Sequence, residues 1–570
     1  MAQRAKGRYN SGFANHMDNP VIVQSDRTIL LEVDHPRYAE ARDTLASFAE
    51  LVKSPEHIHT YRITPISLWN AAALGLTPAE ILKSLRSVSR YDVPENIDRE
   101  ITDFASRYGV LVLRKIDERL LLESTDALLL QELANSTKVK DFFLRFEGPN
   151  RVEVPGKLRG HLKQALIRIG WPVEDQAGFD SGDPFPIGRR EQTLEGRPFT
   201  IRKYQADSVA SYLAGGGGGV VVLPCGAGKT IVGIDAMSKM NCKTLILTTS
   251  ITAVRQWTRE LLDKTFVREE DIGEYTGEVK QIRPITLTTY QMVSHRPEKH
   301  AQFKHFDIFD KENWGLIIYD EVHLLPAPIF RITAEIQSKR RLGLTATLVR
   351  EDGREDDVFS LIGPKRYDVP WKELEKQGWI AKAVCTEVRI SFPDESRIDY
   401  AISGRRARYR VAAENPLKME VVDQLVKVHS GENVLIIGQY ISQLERLQSR
   451  LGAPLIVGKT PSRERDRLYD LFRKGDIKLL VVSKVGNFAI DLPDANVLIQ
   501  ISGTFGSRQE EAQRLGRILR PKSDGSTAHF YSLITRNSDE MEFAARRQLF
   551  LTEQGYKYRI VGEKELYESA

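Results

Sequence analysis

The chain is poor in features that would place it in several large classes. It has 570 residues and three cysteines, Cys225, Cys242 and Cys385. Their spacing makes no zinc or iron–sulfur ligand set, and three is a poor number for a disulfide framework, so a reducing compartment is expected. No run of about 18 apolar residues occurs, which excludes a helix written to span a bilayer. The opening MAQRAKGRYN lacks the apolar core of a secretion signal. Neither sign of charge dominates: 82 Lys and Arg stand against 77 Asp and Glu, a formal net +5. That mild excess permits a polyanionic partner without requiring one. No short-period repeat is visible. With 41% hydrophobic and 28% charged residues the chain can fill cores and is not disordered. At roughly 100–200 residues per domain, about three to five domains are expected, in a soluble intracellular protein.

The chain then divides by pattern. Residues 1–20 read as a flexible basic tail. Residues 21–135 read as a mostly helical, winged-helix-like domain, with a capping box at Thr77-Pro78-Ala79-Glu80, a second helix start at Pro94 and a hairpin from runs at 109–113 and 119–122. A helical accessory domain without nucleic-acid contact is the alternative. Residues 136–197 form a small α+β domain with a strand expected over 141–146, a helix around 157–169 and a Gly/Asp/Pro-rich linker at 175–187. Residues 198–385 and 386–570 each alternate apolar strands with helices, which predicts two parallel-sheet lobes of α/β class.

The chemistry concentrates in two segments, each after an apolar strand-like run. LPCGAGKT at 223–230 is a phosphate cradle and YDEVH at 319–323 an acidic box. Leu223 stands where the strict P-loop pattern has glycine. Gly226, Ala227 and Gly228 bring backbone N–H groups to phosphate oxygens, Lys229 neutralises the β- and γ-phosphates and the Thr230 hydroxyl ligates Mg²⁺. Asp320 would hold Mg²⁺, directly or through water, and Glu321 would polarise the attacking water. Upstream, Arg202 and Gln205 open a helix, and the Gln205 amide suits the adenine edge. In the second lobe Gln513-Arg514-Leu515-Gly516-Arg517-Ile518-Leu519-Arg520 sets Arg517 and Arg520 three apart, as arginine fingers or as a solvated basic face. Arg405, Arg406, Arg408 and Arg410, with Tyr400 and Tyr409 interleaved and Lys418 beyond, suit phosphate contact and base stacking; a solvated charged helix is the alternative. In the first lobe Thr249, Arg255, Gln256 and Trp257 are candidates to track a DNA backbone, although Trp257 fits a packing role equally. Phe142 and Phe143 fit either a DNA wedge or a core.

Gln205, GAGKT, DEVH, Thr345-Ala346-Thr347 and the Q-x-x-G-R-x-x-R segment, in that order, resemble a superfamily 2 helicase. The DEVH box, Arg350-Glu351-Asp352 after the threonine motif, QRLGRILR and the segment from Phe530-Tyr531-Ser532-Leu533 to Gln554-Gly555-Tyr556 resemble the XPB family of DNA repair helicases, prokaryotic in type. The resemblance covers about 200–560 strongly and the first 200 residues in layout. It implies two RecA-like lobes and an ATP- and Mg²⁺-dependent 3′→5′ motor on single-stranded, forked or duplex DNA. It implies that His323, Thr345, Ala346, Thr347 and Gln513 couple hydrolysis to lobe motion, that Asp491 touches the nucleotide ribose, and that Arg350, Glu351 and Asp352 act in unwinding. A damage-recognition domain at 136–197, a basic thumb-like insertion in lobe 2, a nuclease partner, a monomer and a cytoplasmic location (nuclear in a eukaryote) complete the implied picture. The competing readings are an ATP-driven duplex clamp or translocase with little strand separation, an RNA-directed motor and a restriction-enzyme motor.

Overall fold

The computed structural model describes residues 18–54, 57–224, 226–296, 304–309, 311–337, 339–346, 348, 354–369, 371–483, 495–503, 527–553, 556 and 558–568. The chain forms two compact units, Met1–Ser106 and Arg107–Ala570.

In the first unit β1 (Val21–Val23), β2 (Thr28–Glu32), β3 (Glu50–Lys53) and β4 (Ile58–Arg62) make an antiparallel sheet in the order β1-β2-β4-β3. Four helices accompany it: Tyr38–Ala46, Pro65–Ala73, Pro78–Val88 and Glu95–Ser106. The capping box closes as the sequence predicts, with Glu80 N donating to Thr77 Oγ1 at 3.3 Å and Thr77 N to Glu80 Oε2 at 2.9 Å. The expected helical character over residues 21–135 is corrected by the sheet. Its strands are three to five residues long, too short for their alternation of buried Ile29 and Leu31 to stand out beside strong helical periods.

The expected winged-helix hairpin exists, as β5 (Leu111–Ile116) and β6 (Arg119–Ser124), but it lies in the second unit. There it joins β7 (Arg145–Phe146), β8 (Arg151–Val154) and β9 (Val173–Asp175) in a five-stranded sheet of order β7-β8-β6-β5-β9. The boundary between units therefore falls at residue 106 rather than 135. The strand expected over 141–146 is instead a 3₁₀ turn, Lys140–Phe142, followed by the two-residue β7. Phe142 and Phe143 pack against the small sheet's core, which removes them as wedges; the exposed apolar side chains there are Leu144 and Phe146.

Each lobe is a seven-stranded parallel sheet. The first holds β10 (Gly218–Val222), β11 (Thr244–Thr248), β12 (Ile272–Tyr275), β13 (Ile285–Thr289), β14 (Leu316–Asp320), β15 (Arg340–Thr345) and β16 (Lys365–Asp368), ordered β12-β13-β11-β14-β15-β10-β16. The second holds β17 (Ala383–Ile390), β18 (Val434–Gly438), β19 (Leu455–Ile456), β20 (Leu479–Ser483), β21 (Val497–Gln500), β22 (Ala528–Thr535) and β23 (Tyr558–Gly562), ordered β19-β20-β18-β21-β22-β17-β23. Central strands such as β10, β11 and β18 are buried at every position, because helices cover both faces of a parallel sheet and continuous apolar runs satisfy both. The expected lobe boundary at 385/386 cuts β17.

The small sheet is docked on lobe 1 through its helix Arg159–Arg168, which packs against the lobe helices Ala327–Glu335 and Glu355–Leu361. The approach is backbone-close: a Cβ at Gly160 would sit 2.3 Å from the Ala334 carbonyl oxygen and 2.6 Å from its Cα. Gly160→Ala is therefore expected to destabilise the protein by about 1–3 kcal/mol through overpacking. Gly156→Ala, where a Cβ meets nothing within 4 Å, should not. Thermal melts of both variants check this; equal melting temperatures would refute the close approach.

Candidate active site

Parallel register brings the chemistry to one edge of lobe 1. Val222 of β10 lies opposite Thr345 of β15, and Asp320 of β14 opposite Leu344. The ends of these three strands carry the cradle, the threonine motif and the acidic box, the arrangement by which open α/β sheets build ligand sites.

The cradle is shaped by two left-handed glycines, Gly226 and Gly228, each at φ 81°, and Gly228 caps the helix Lys229–Met240. A twelve-residue helix directed at the loop adds its N-terminal partial positive charge. The buried Ala227 carbonyl is gripped from outside the loop. Tyr204 Oη donates to it at 2.6 Å and Gln205 Nε2 at 3.0 Å. Gln205 Oε1 in turn accepts from Arg202 N at 3.0 Å, and Arg202 Nη1 donates to Tyr204 Oη at 3.1 Å. Both ends of the Gln205 amide are thus engaged inside the lobe, and the side chain is 3% exposed. The amide also braces the phosphate loop, and it keeps a second N–H and a second oxygen lone pair for the adenine pairing expected from sequence. The Arg202 guanidinium also lies 4.5 Å from the centre of the Trp379 ring.

Opposite the cradle, Glu321 takes a left-handed backbone at φ 52° and starts the 3₁₀ turn Val322–Leu324. Lys229 Nζ is 3.0 Å from Glu321 Oε1. His323 Nδ1 lies 3.4 Å from Glu321 Oε2 and 2.6 Å from Thr345 Oγ1, so the acidic box and the threonine motif share one histidine. Burial pushes the Asp320 carboxyl up to about 6, and the neighbouring Glu321 charge adds to the shift. Burial acts on Glu321 in the same sense, but the Lys229 ammonium and His323 outweigh it and hold Glu321 below the usual range. Asp320 Oδ2 accepts from the indole of Trp257 at 2.9 Å, and the Asp320 carbonyl from Tyr290 Oη at 2.7 Å. Trp257 is 1% exposed, so its candidacy as a DNA contact is withdrawn.

The set fits a magnesium nucleotide. Glycine N–H groups and Lys229 suit phosphate; a hydroxyl and a carboxylate, Thr230 and Asp320, are hard oxygen donors of the kind Mg²⁺ takes beside substrate phosphates.

The basic segment of lobe 2 differs from expectation in its tyrosines and in Lys418. Arg405–Ala413 is a helix packed through Tyr409 and Ala413 against Phe543. Tyr409 is fully buried and donates to the Gly503 carbonyl at 2.7 Å, and Tyr400 donates to Asp539 at 3.0 Å, so neither is free to stack on bases. Lys418 is buried between both carboxylate oxygens of Glu540 at 2.8 Å. Arg408 lies 5.3 Å from the Tyr400 ring centre, and the exposed Arg410 pairs with Glu414 at 2.5 Å. The side chains of Arg405 and Arg406, and residues Thr347, Arg350, Glu351, Asp352, Asp491, Gln513, Arg517 and Arg520, lie outside what the structure describes. Sequence reading missed the roles of Tyr204 and Tyr290 and the Trp257–Asp320 bond; only Tyr290, directly past the end of β13, carried a positional signal.

Residues 374–570 match the family described as the ERCC3/RAD25/XPB C-terminal helicase, residues 198–350 the type III restriction enzyme res subunit, and residues 21–147 a helicase conserved C-terminal domain. The chain is 52% identical over 550 residues to the DNA 3′-5′ helicase XPB of Kineococcus radiotolerans, covering 96% of this chain and 97% of that one. It is 53% identical over 544 residues to the DNA 3′-5′ helicase XPB of Mycobacterium tuberculosis, covering 95% and 98%. It is 33% identical over 613 residues to the Saccharomyces cerevisiae general transcription and DNA repair factor IIH helicase/translocase subunit XPB/SSL2, covering 96% and 72%.

Removing one donor from the Ala227 carbonyl tests the brace. Tyr204→Phe should weaken binding of a fluorescent ADP about fivefold, the cost of one net hydrogen bond of about 1 kcal/mol. A titration with unchanged affinity would leave Tyr204 a packing residue only.

Proposed function

The chain belongs to the XPB family of DNA 3′-5′ helicases, and we propose that the edge formed by β10, β14 and β15 is its ATPase centre. The protein is an ATP-using DNA helicase of that polarity. The observation that carries the site assignment is the 3.0 Å contact between Lys229 and Glu321, which puts the cradle's cation and the box's catalytic carboxylate within one pocket.

In this reading Lys229 exchanges Glu321 for the nucleotide's phosphates, and Glu321, released, orients and deprotonates the attacking water. Mg²⁺, held by the Thr230 hydroxyl and Asp320, supplies charge neutralisation at the β- and γ-phosphates. Gly226, Ala227 and Gly228 present their N–H groups to the same oxygens. Arg202, through Gln205, and Tyr204 keep Ala227 in place while the loop is loaded. His323 follows the charge on Glu321 and passes its displacement to Thr345, hence to Ala346 and Thr347. Arg517 and Arg520 complete the charge set from lobe 2 as arginine fingers, Gln513 couples the lobes and Asp491 contacts the ribose.

The track is DNA. Arg405, Arg406, Arg408 and Arg410 contribute phosphate contacts from the lobe 2 helix, and Arg350, Glu351 and Asp352 act where strands part. We read the small sheet as a damage-recognition-like element, the motor as a monomer and its site of action as the cytoplasm, with a nuclease as the partner class that an opened duplex would serve.

Lys229→Ala should lower DNA-stimulated ATP hydrolysis by roughly 10²–10³-fold, the usual loss when one preorganised charge is removed. Steady-state hydrolysis with no nucleic acid, single-stranded DNA, duplex DNA and RNA, beside strand displacement on a 3′-tailed duplex, checks this. Hydrolysis that survives the substitution would move the catalytic centre elsewhere. Arg408→Ala with Arg410→Ala should weaken DNA binding and lower the slope of log K against log salt by about 0.9 per lost phosphate contact on duplex. A fluorescence anisotropy salt series with an unchanged slope would remove this helix from the DNA path.

A further inference from the structure

Asp320 is held by two aromatic side chains that the ATPase scheme does not use. Trp257 Nε1 donates to Asp320 Oδ2 at 2.9 Å, and Tyr290 Oη to the Asp320 carbonyl at 2.7 Å. One bond fixes the side chain and the other the backbone, so the carboxylate can neither rotate nor slide along β14 without losing a partner.

Each aromatic stands on a helix that begins directly past a strand tip. Trp257 lies in Ile251–Lys264, which follows β11 and starts at Ser250, whose side chain accepts from Ala253 N at 3.2 Å. Tyr290 opens Tyr290–Val293, which follows β13 and starts at Thr289, whose side chain accepts from Met292 N at 3.1 Å. β13, β11 and β14 are consecutive neighbours in the sheet, with Tyr319 opposite Leu247 and Thr248 opposite Thr289. The two tips therefore sit beside the acidic box.

The indole has a made-to-measure slot. A Cβ at Gly233, in the helix that follows the cradle, would fall 2.4 Å from Trp257 Cη2. Only glycine leaves room for the ring between the cradle helix and β14. An indole N–H is a donor without an acceptor role, and in this buried place Asp320 is its partner. A carboxylate of this kind, taken from water by the fold, depends on such a donor for its orientation.

We propose that Trp257 and Tyr290 are positioning residues that hold Asp320 in its metal-ligating orientation and tie that orientation to the β11 and β13 tips. This rests on the reading of Asp320 as a magnesium ligand. If DNA is engaged at these tips, through a helix that carries the exposed Arg255 as well as Trp257, the same two bonds couple it to the metal site.

The test uses the full-length protein with Mn²⁺ as the probe and ADP present, free Mn²⁺ being read by electron paramagnetic resonance without turnover. Trp257→Phe keeps the bulk and removes the donor; Tyr290→Phe removes only a hydroxyl. Trp257→Phe should weaken Mn²⁺ about tenfold, as removal of a ligand-orienting hydrogen bond does. The Mg²⁺ needed for half-maximal hydrolysis should rise in parallel, with kcat recovered at high Mg²⁺ and the DNA stimulation ratio lowered at limiting Mg²⁺. Tyr290→Phe should move the same readings in the same direction and, since it leaves the indole untouched, carries the test if Trp257→Phe does not fold. Mn²⁺ affinity unchanged within about twofold in folded variants would overturn the proposal. Lost affinity with intact DNA stimulation would overturn the coupling while keeping the positioning. Asp320→Asn is the control: if it binds Mn²⁺ like the parent, the metal assignment beneath the proposal fails instead.

Discussion

The ion pair between Lys229 and Glu321 is the interaction on which the site's other features turn. An ammonium and a carboxylate that are largely withdrawn from solvent each lose hydration, and a close partner offsets the loss. Held 3.0 Å apart, each stabilises the charge of the other, which is why Glu321 stays ionised in a place that raises its neighbour Asp320. In the proposed scheme the same pairing makes Glu321 conditional as a base, because an arriving phosphate competes for the Lys229 ammonium and the Glu321 charge is less shielded as Lys229 turns toward it. A site built this way would have an electrostatic reason not to activate water before phosphate arrives.

Backbone geometry supports that exchange. Glu321 is a non-glycine residue in the left-handed region, a conformation that costs of order 1–3 kcal/mol and persists only where surroundings over-determine it. Here the surroundings are Lys229 on one side and His323, anchored to Thr345, on the other. Across the pocket Gly228 adopts the corresponding conformation without strain, and a side chain there would strike Gln205 Nε2 at 2.6 Å. The strain thus sits on the carboxylate that has to change partners, whereas the loop that has to stay in place is built from residues that carry none.

Much of this was legible in the sequence, for a physical reason. Parallel strands buried on both faces must be continuous apolar runs, so the runs ending in Leu223 and Tyr319 identified themselves, and the groups at their ends are few enough to be recognised by type. The antiparallel sheet of the first unit was not legible, because strands such as Val21–Val23 are too brief to show a period. The hairpin Leu111–Ser124 was seen, but which sheet it would join depended on β8 and β9, 30 to 50 residues further on. The part Gln205 plays in holding the phosphate loop was not legible, because only the fold brings Arg202 N and the Ala227 carbonyl to its amide. The burial of Tyr409 and Lys418 was not legible either. Interleaved arginines and tyrosines do not say which side chains face outward, and packing against Phe543 buries Tyr409 while Arg410 stays exposed.

The small sheet's attachment bears on how the motor can move. Asp175 at the end of β9 accepts from the buried Arg159 and Lys163, both at 2.7 Å. Burial would raise Asp175, but Lys163 and Arg159 outweigh it and hold it well below the usual carboxylate range; burial lowers Lys163 to about 8 in spite of Asp175. The ring of Phe179 lies about 5 Å from two guanidinium groups, Arg159 of the small domain and Arg341 of β15. Pulling the small sheet off lobe 1 would uncover Gly160 and separate this cluster from Arg341, a cost that adds buried-charge and packing penalties of a few kcal/mol each. The docking helix of the small sheet bears on Ala327–Glu335, which follows the DEVH turn within three residues, so a single lobe helix lies between the small sheet and the acidic box.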